Sequence, residues 1–319
     1  MKFGIIRERK DPPDKRVIFS PATCKKLLAK YADAQIIVEP SPIRAFADKE
    51  YRELGIGVAP KMEECDVLLG IKEVPIAHLI PNKKYFFFSH TIKKQPYNQK
   101  LLRTVLDRNI ELYDHEVITA PNGRRLTAFG RYAGIVGAYN GIRAYGLKFG
   151  PFKLPKAENL QDREALITEL RKIKLPNIKI LITGKGRVGN GVKEMLDAMG
   201  IKKVVVADYL KIAYDRPVYC RIDASEYNRR KDGKRGSKAD FFAHPMEYIS
   251  NFFRFSKVTD LYIAGHFYSD NGSPFLYTKE DANHPGFKIK VVADISCDIN
   301  GPIASTIRAS TIDDPIYGY

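Results

Sequence analysis

Apolar and polar residues alternate along the chain between short strand-like runs and longer helix-like stretches. Ser20 followed by Pro21 predicts the start of a helix over Ala22–Tyr31, because a hydroxyl cap and a first-turn proline suit a helix N-terminus. Apolar residues at helical spacing predict another helix over Gln99–Arg108. Four apolar runs in this half predict strands: Phe3–Ile6, Gln35–Val38, Val67–Ile71 and Tyr85–Phe88. This alternation is typical of a parallel sheet with helices on both faces.

The second half repeats the alternation after breaks at Gly150-Pro151 and Leu154-Pro155. Small and aromatic residues predict a closely packed helix over Ala133–Tyr145. Polar and amphipathic stretches predict helices over Asp162–Lys172 and Val188–Met199, and apolar runs predict the strands Ile180–Thr183, Val204–Ala207, Asp260–Ala264 and Lys290–Ala293. The predicted fold class is α/β, with two doubly wound, Rossmann-like parallel-sheet domains and an inter-domain cleft. The expected limits are 1–135 for a substrate domain, 136–300 for a dinucleotide domain, and 301–319 for a segment returning towards the first domain.

A glycine-rich turn joins a predicted strand to a predicted helix in the second half. Gly184, Gly186 and Gly189 form a G-x-G-x-x-G motif directly after an apolar run. The first glycine permits a tight turn, the second lets the backbone approach a pyrophosphate, and the third lets helix and strand pack closely. Asp208 ends the next predicted strand, where a carboxylate can accept hydrogen bonds from ribose hydroxyls. The pattern predicts a dinucleotide site, and a glycine-rich turn that binds nothing is the alternative.

Composition narrows the classes of partner. The 319 residues contain 53 Lys and Arg against 37 Asp and Glu, a formal net charge of +16. This charge attracts anionic substrates and cofactors. It is spread along the chain without a nucleic-acid-binding motif, so no nucleic-acid partner is expected. No apolar run is long enough to span a bilayer, so no membrane partner is expected. The four cysteines form no C-x-x-C pair, which predicts no metal site and reduced thiols in a cytoplasmic enzyme.

Ionisable residues follow several predicted strands, at the edge where open α/β sheets bind ligands. Lys72 and Glu73 follow the third strand, His90 follows the fourth, Glu116 follows the apolar segment at 112–113, and Asp294 follows the last strand of the second half. A lysine and a histidine can move protons near neutral pH if their surroundings adjust their pKa values. The structural alternatives are a solvated lysine, a histidine bonded to a backbone carbonyl, and carboxylates that cap helices or pair with surface cations.

Two arginines follow a turn that precedes the small-residue helix. Arg124 and Arg125 come directly after Pro121-Asn122-Gly123. Two guanidinium groups there can hold a dicarboxylate substrate through paired hydrogen bonds. A pair of exposed arginines beside a turn is the alternative.

Several segments, in chain order, carry a resemblance to a known family. They are Arg16 with Ser20-Pro21, Gly70–Pro75, Phe86–Gln95, Gly123–Gly134 and Ala293–Asp298. In these segments the chain resembles the family of saccharopine dehydrogenase (L-lysine-forming) and lysine–2-oxoglutarate reductase, which is related to alanine dehydrogenase and to the nucleotide-binding part of transhydrogenase. The resemblance covers nearly the whole chain. It implies an oxidoreductase that interconverts saccharopine with L-lysine and 2-oxoglutarate by hydride transfer and imine hydrolysis.

The same resemblance implies roles for individual residues. Lys72 would be the acid–base group at the amine nitrogen, His90 would handle protons during imine hydration, and Glu73 and Glu116 would tune these two bases. The residues expected to contact substrate are Arg16, Lys93, Arg125 and Phe129. The residues expected near the cofactor, besides the three glycines, are Arg124, Arg187, Val188, Asp208 and Asp294.

The choice of cofactor depends mainly on Asp208. A carboxylate at that position accepts from a ribose 2′-hydroxyl and repels a 2′-phosphate, which predicts NAD. NADP is the alternative, since Lys211 or the basic segment Arg229–Arg235 can soften the preference. Two other functions stay open at this point: an alanine-dehydrogenase-like enzyme that uses ammonia, and a nucleotide-binding module without catalysis.

Overall fold

A computed structural model describes residues 1–11 and 13–319. Within these residues the chain forms two compact units, Met1–Ala128 and Phe129–Tyr319. The division lies a few residues before the predicted limit at 135, and the predicted domain limits, with a separate segment over 301–319, stay a prediction.

The first unit is built on a parallel sheet whose strand order is β3-β2-β1-β4-β5-β6. Its elements are, in chain order, β1 (Lys2–Ile5), α1 (Pro21–Lys30), β2 (Gln35–Val38), α2 (Asp48–Glu53), β3 (Gly57–Val58), β4 (Val67–Leu69), β5 (Lys84–Phe87), α3 (Gln99–Asp107) and β6 (Glu111–Asp114). Short 3₁₀ turns cover Ile76–His78, Thr91–Lys93 and Pro96–Asn98. The strand order reverses at β1, since β2 lies on one side of it and β4 on the other.

Both faces of this sheet are covered, as the sequence predicts. Along β4, Val67 and Leu69 pack with residues of α1 and α2, whereas Leu68 points to the opposite core with Leu101 and Val105 of α3. This follows from the two-residue period of a strand, which sends alternate side chains to opposite faces. The predicted cap of α1 is confirmed, because the Ser20 hydroxyl accepts a hydrogen bond from the Thr23 amide at 3.2 Å.

The second unit holds another parallel sheet, with the order β13-β12-β7-β9-β8, and a separate antiparallel ribbon of β10 and β11. Its elements are α4 (Gly130–Phe149), α5 (Arg163–Lys172), β7 (Lys179–Thr183), α6 (Arg187–Ala198), β8 (Lys202–Lys203), α7 (Val206–Lys211), β9 (Val218–Ile222), α8 (Ala224–Tyr227), β10 (Asn228–Arg230), α9 (Lys238–Ala243), β11 (Tyr248–Ser250), α10 (Phe253–Ser256), β12 (Leu261–Ala264), α11 (Lys279–Asn283) and β13 (Val291–Asp294). Short 3₁₀ turns cover Ala157–Asn159 and Pro245–Glu247. Among the described residues, none of these helices combines the length and apolarity that crossing a bilayer requires.

Alternate residues of β7 again face two cores. Ile180 and Ile182 pack with α4, α5 and α6, whereas Leu181 packs on the other face with Tyr209 of α7 and Phe252. Small residues bring α4 and α6 together: a Cβ on Gly134 would lie 2.0 Å from the Val188 carbonyl oxygen. The predicted α/β class with two parallel sheets, each covered by helices on both faces, is therefore confirmed.

The predicted strand over Val204–Ala207 is wrong. The strand in this region is the short edge strand β8, and the chain turns into α7 at Val206. Val206, Tyr209 and Leu210 fall at helical spacing and pack on the second core of the sheet. A short run of apolar residues suits either a strand or one face of a helix, which is why the sequence pattern alone gave the wrong element. Asp208 is consequently an exposed residue in the first turn of a helix, not the tip of a strand.

Candidate functional site

Three predicted site residues of the first unit meet beyond the carboxyl ends of β4, β5 and β6. The Lys72 ammonium nitrogen lies 3.4 Å from Nε2 of His90, and Nδ1 of His90 lies 3.0 Å from Oε2 of Glu116. The two distances describe a continuous path from an amine through an imidazole to a carboxylate. His90 and Glu116 are only 16% and 13% exposed, so solvent screens these contacts little.

The chemistry of the neighbours assigns the histidine tautomer. An ionised carboxylate can only accept, so Nδ1 carries the proton that it donates to Glu116. Nε2 then presents its lone pair to Lys72, whose ammonium can donate to it. The pKa of Glu116 fits this assignment. Burial acts to raise it, but the hydrogen bond from His90 and the charges of Lys93 and Arg125 outweigh burial and hold this pKa below its ordinary value.

Glu73 approaches the same imidazole from the side of Lys72. Its Oε1 lies 3.7 Å from Nε2 of His90, and its Oε2 accepts a hydrogen bond from the Lys10 ammonium at 3.1 Å. Lys10 was not predicted from the sequence, because it lies in the segment after β1 and 62 positions before Lys72. The four side chains predicted to be catalytic, Lys72, His90, Glu73 and Glu116, are therefore adjacent to one another.

The pKa of Lys72 lies below the ordinary lysine value. Burial is the largest cause, since it disfavours the charged ammonium, and the positive charges of Lys10 and Arg16 act in the same direction. Glu73 and Asp14 oppose the shift without cancelling it. A lysine in this setting loses its proton at a lower pH than a solvated lysine does, which a general base requires.

Cations surround this group on its exposed side. Lys93 Nζ and Arg125 Nη1 lie 3.8 and 3.6 Å from Glu116 Oε1, and about half of each side chain stays exposed. Arg16 is close enough to lower the pKa of Lys72, and its guanidinium is also hydrogen-bonded to Asp14. Three of the four residues predicted to contact substrate therefore lie around Lys72 and Glu116. The described residues contain no group of His, Cys, Asp and Glu that could hold a metal ion.

Glu8 fixes the backbone that carries Lys72. Its two carboxylate oxygens accept hydrogen bonds from the amides of Ile71 and Lys72, at 2.7 and 2.9 Å. Burial raises the pKa of Glu8, although these two hydrogen bonds act against the rise. Glu8 follows β1, the strand that neighbours β4, and only the sheet order reveals the contact. The sequence offered no signal for it.

In the second unit the three glycines of the predicted motif form a tight turn between β7 and α6. Gly184 has a φ of 94°, and a Cβ on it would lie 2.4 Å from the carbonyl oxygen of Gly265, the residue after β12. A Cβ on Gly189 would lie 2.1 Å from the carbonyl oxygen of Gly184, whereas a Cβ on Gly186 would meet nothing within 4 Å. The first and third glycines are thus needed for packing, and the second leaves its backbone open to a ligand at the start of α6.

Arg221 holds this turn from the neighbouring strand β9. Its guanidinium donates to the carbonyl oxygen of Gly184 at 2.9 Å and to Oδ1 of Asn190 at 2.8 Å. Arg221 was not predicted from the sequence, because its position inside a strand gives no sign that the strand borders β7.

His266 offers a further polar atom beside the turn. It follows β12 directly after Gly265, and its Nδ1 lies 2.9 Å from the hydroxyl of Thr183, the last residue of β7. Its Nε2 is buried without a hydrogen-bond partner among the described residues. Burial lowers the pKa of His266 to about 4, so the imidazole is neutral at physiological pH. β7 and β12 border the point where this sheet reverses its order, which is where open α/β sheets bind ligands.

An acid does end the strand next to β7, but it is Asp223 and not Asp208. Asp223 follows β9 directly and caps α8, and its side chain accepts hydrogen bonds from the Ala224 amide at 2.9 Å and from Lys238 at 3.1 Å. The usual spacing of about 20 residues from the glycine motif fails here because β8 and α7 are inserted before β9 enters the sheet next to β7.

The remaining predicted residues lie as follows. Arg187 and Val188 begin α6, directly after the glycine turn, and Asp294 ends β13, where its carboxylate accepts from Ser296 and from the Thr306 hydroxyl. Arg124 lies in an exposed turn of the first unit, where its amide donates to Asn122. Phe129 precedes α4 in the second unit. The roles predicted for these residues stay predictions.

Comparison with known proteins identifies the first unit. Residues 4–136 match the family model described as alanine dehydrogenase/PNT, N-terminal domain. This segment is an alanine dehydrogenase/PNT N-terminal domain. It contains the whole cluster of Lys72, Glu73, His90 and Glu116.

The rest of the chain also has relatives. In an alignment of 359 positions the chain is 27% identical to alpha-aminoadipic semialdehyde synthase of Arabidopsis thaliana, a match that covers 99% of this chain and 34% of that protein. Over 316 residues it is 27% identical to saccharopine dehydrogenase (NAD(+), L-lysine-forming) of Candida glabrata, covering 93% of this chain and 75% of that protein. The chain thus spans about a third of the first relative and three quarters of the second.

A solved structure of L-alanine dehydrogenase shares the fold. It superposes with a TM-score of 0.63 and covers 100% of this chain and 80% of its own, at 16% sequence identity. At this identity the likeness concerns the fold alone. The predicted resemblance is therefore confirmed: the chain is homologous to saccharopine dehydrogenase and carries an alanine dehydrogenase/PNT N-terminal domain.

Proposed function

We propose that this protein is a nicotinamide-dependent oxidoreductase that interconverts saccharopine and water with L-lysine and 2-oxoglutarate. The observation that carries the proposal is the path from Lys72 through His90 to Glu116, because oxidation of a secondary amine followed by hydrolysis needs groups that take and return several protons. The relatives named above support the substrate class.

The first proton transfer falls to Lys72. The secondary amine of saccharopine is an ammonium at neutral pH, and its nitrogen must lose a proton before the neighbouring carbon can release hydride. Neutral Lys72, favoured by burial and by the charges of Lys10 and Arg16, accepts that proton. A bound oxidised nicotinamide would supply the hydride acceptor, and loss of hydride from the neutral amine leaves a protonated imine.

His90 is the main acid–base group in hydrolysis of the imine. With its Nδ1 proton held by Glu116, His90 has its Nε2 lone pair available to take a proton from an attacking water. His90 passes that proton to solvent and then accepts the hydroxyl proton of the carbinolamine, whose C–N bond breaks as the amine nitrogen receives a proton from Lys72. His90 returns its proton to the ε-amine of the departing lysine. The sum is saccharopine, NAD⁺ and water giving L-lysine, 2-oxoglutarate, NADH and one proton.

The carboxylates of the substrate need cationic partners. Saccharopine carries three carboxylates, and Lys93, Arg125 and Arg16 supply cations around the catalytic group. A guanidinium holds a carboxylate through two parallel hydrogen bonds, so we assign Arg125 and Arg16 to substrate carboxylates.

The second unit supplies the residues that would hold the cofactor. The open backbone at Gly186, the N-terminus of α6 and Nε2 of His266, which has no hydrogen-bond partner in the described part of the chain, fit a dinucleotide with its pyrophosphate at the turn. We assign the ribose hydroxyls to Asp223, since it ends the strand adjacent to β7, and infer a preference for NAD over NADP from its negative charge.

The test of the proposal is the choice of amine. The purified protein is mixed with NADH and 2-oxoglutarate and then with lysine or with ammonia, and oxidation of NADH is followed by absorbance. We expect oxidation with lysine and little with ammonia. Oxidation with ammonia and pyruvate, and none with lysine, would support an alanine-dehydrogenase-like enzyme, which the family match of the first unit also favours.

A third outcome separates binding from catalysis. Tight binding of NADH, without turnover on any pair of amine and keto acid, would reject catalysis and support a nucleotide-binding module.

A further inference from the structure

The backbone of His90 has a conformation that needs support. His90 has a φ of 56°, in the left-handed region that residues other than glycine rarely adopt. Such conformations persist only when the surroundings hold them, and they occur often at functional sites. The sequence around His90 contains no glycine that would explain the turn.

The residue before His90 is held by a buried carboxylate. Ser89 is fully buried, and its hydroxyl donates to Oδ2 of Asp114 at 2.5 Å. The Ser89 oxygen in turn accepts from the amide of Thr91 at 3.2 Å, and Thr91 Oγ1 lies 2.7 Å away. Both neighbours of His90 in the chain are therefore fixed through one serine hydroxyl.

The same carboxylate also fixes Glu116. Oδ1 of Asp114 accepts a hydrogen bond from the Glu116 amide at 2.8 Å. Asp114 is the last residue of β6 and pairs in register with Phe87 of β5, so it stands between the two loops that carry His90 and Glu116. Asp114 is 7% exposed. One of its oxygens accepts from the loop that carries His90, and the other accepts from the loop that carries Glu116.

We propose that Asp114 is a positioning residue that sets the contact between His90 and Glu116. Its carboxylate ties the chain before His90 to the amide of Glu116. This holds the imidazole with Nδ1 on Glu116 and Nε2 towards Lys72. Without the carboxylate, the His90 backbone relaxes to an ordinary conformation and the imidazole turns away from Glu116. The kinetic consequence rests on the function proposed above, whereas the geometric consequence does not.

The variant Asp114→Asn tests the proposal, because it keeps the shape and removes one of the two acceptors. Turnover with lysine, 2-oxoglutarate and NADH should fall roughly 10- to 100-fold, while KM for lysine and the Kd for NADH stay within about twofold. Ser89→Ala removes only the contact on the His90 side and should also lower turnover. It replaces Asp114→Asn as the test if that variant does not fold.

A double-variant cycle separates positioning from general support of the fold. In a His90→Gln background, Asp114→Asn should cause little further loss of turnover, because a residue that acts through His90 has nothing left to position. An equal loss in both backgrounds would overturn the proposal. Asp66→Asn is the matched control. Asp66 directly precedes β4 and accepts from the Lys2 amide, at the amino ends of the strands, so this variant should leave turnover unchanged.

A measurement without substrate keeps the proposal testable if the proposed function fails. In ¹³C NMR titrations of the carboxyl groups, both Asp114→Asn and Ser89→Ala should raise the pKa of Glu116 towards its ordinary value, since the hydrogen bond from His90 is lost. An unchanged pKa of Glu116 in both folded variants would overturn the positioning role. If only the proposed function is wrong, the amine-choice assay shows no oxidation of NADH with lysine, while the pKa of Glu116 still rises in both variants.

Discussion

At the scale of single residues, the site places a lysine and a histidine within hydrogen-bond distance of each other, and both can still take up and release protons. Lys72 donates to Nε2 of His90, and Nδ1 of His90 donates to Glu116. With its Nδ1 proton on Glu116, the imidazole turns the lone pair of Nε2 towards Lys72. A proton taken up by Lys72 therefore has a neighbouring acceptor.

The pH dependence of saccharopine oxidation should follow the charges around Lys72. Lys10→Met removes a cation that lowers the pKa of Lys72, so the rising limb of kcat/KM should move to higher pH by about 0.5–1 unit. Glu73→Gln removes an anion that raises this pKa, so the limb should move to lower pH. Steady-state rates measured between pH 6 and about 10 check both shifts.

The control for these shifts is Lys100→Met, which removes one exposed positive charge on α3. It should leave the profile in place. Shifts of the same sign in Lys10→Met and Glu73→Gln would contradict the assignment of the limb to Lys72.

At the scale of elements, the two sheets use the same edge differently. In the first unit, the strand order reverses between β1 and β4. Glu8 lies at this point and accepts hydrogen bonds from the amides of Ile71 and Lys72. In the second unit, the corresponding point between β7 and β12 is lined by the Gly184 turn and by Gly265. In the first unit, a carboxylate thus already accepts from the backbone amides that could bind an anion. In the second unit, glycines leave the backbone accessible to a ligand.

The position of the strand β9 leads to a prediction for cofactor choice. Asp223→Asn keeps an acceptor at the N-cap of α8 but removes the charge that repels a 2′-phosphate, so the ratio of NADPH to NADH affinity should rise by about tenfold. Asp208→Asn is the matched control and should not change the ratio, because Asp208 lies in the helix α7 and does not follow the strand next to β7. Titration of nucleotide fluorescence gives both affinities. A change of the affinity ratio in Asp208→Asn alone would indicate that Asp208, and not Asp223, contacts the ribose.

The sequence predicted the elements whose signals are local. Ser20 with Pro21 marks a helix start, and the glycines at 184, 186 and 189 mark a strand–turn–helix unit, and both are confirmed. The strand at Val204–Ala207 failed because valines also suit one face of a helix. Glu8 and Asp114 could not be found, since each binds a segment that follows another strand and is distant in sequence. The left-handed backbone of His90 carries no local signal such as a glycine.

At the scale of the whole molecule, the net charge of +16 should affect substrates by their sign. 2-Oxoglutarate carries two negative charges and lysine a net positive charge. Between about 0.01 M and about 0.15 M salt, where the Debye length falls from about 30 Å to about 8 Å, KM for 2-oxoglutarate should rise roughly 2- to 5-fold, whereas KM for lysine should not rise.

Steady-state kinetics in chloride and in acetate salts check this prediction, because agreement between the two excludes competition by a particular anion. Equal increases in both KM values would argue against attraction by the positive field.

The reaction assigned to Lys72 and His90 is tested most directly by identifying the product. The protein is incubated with NADH, 2-oxoglutarate and lysine labelled with ¹⁵N at the ε position, and the products are analysed by mass spectrometry. We expect saccharopine that retains the label, formed about 10²–10⁴ times more slowly by Lys72→Met and by His90→Gln, with unchanged binding of NADH. Absence of labelled saccharopine, or its formation at the wild-type rate by both variants, would contradict the account.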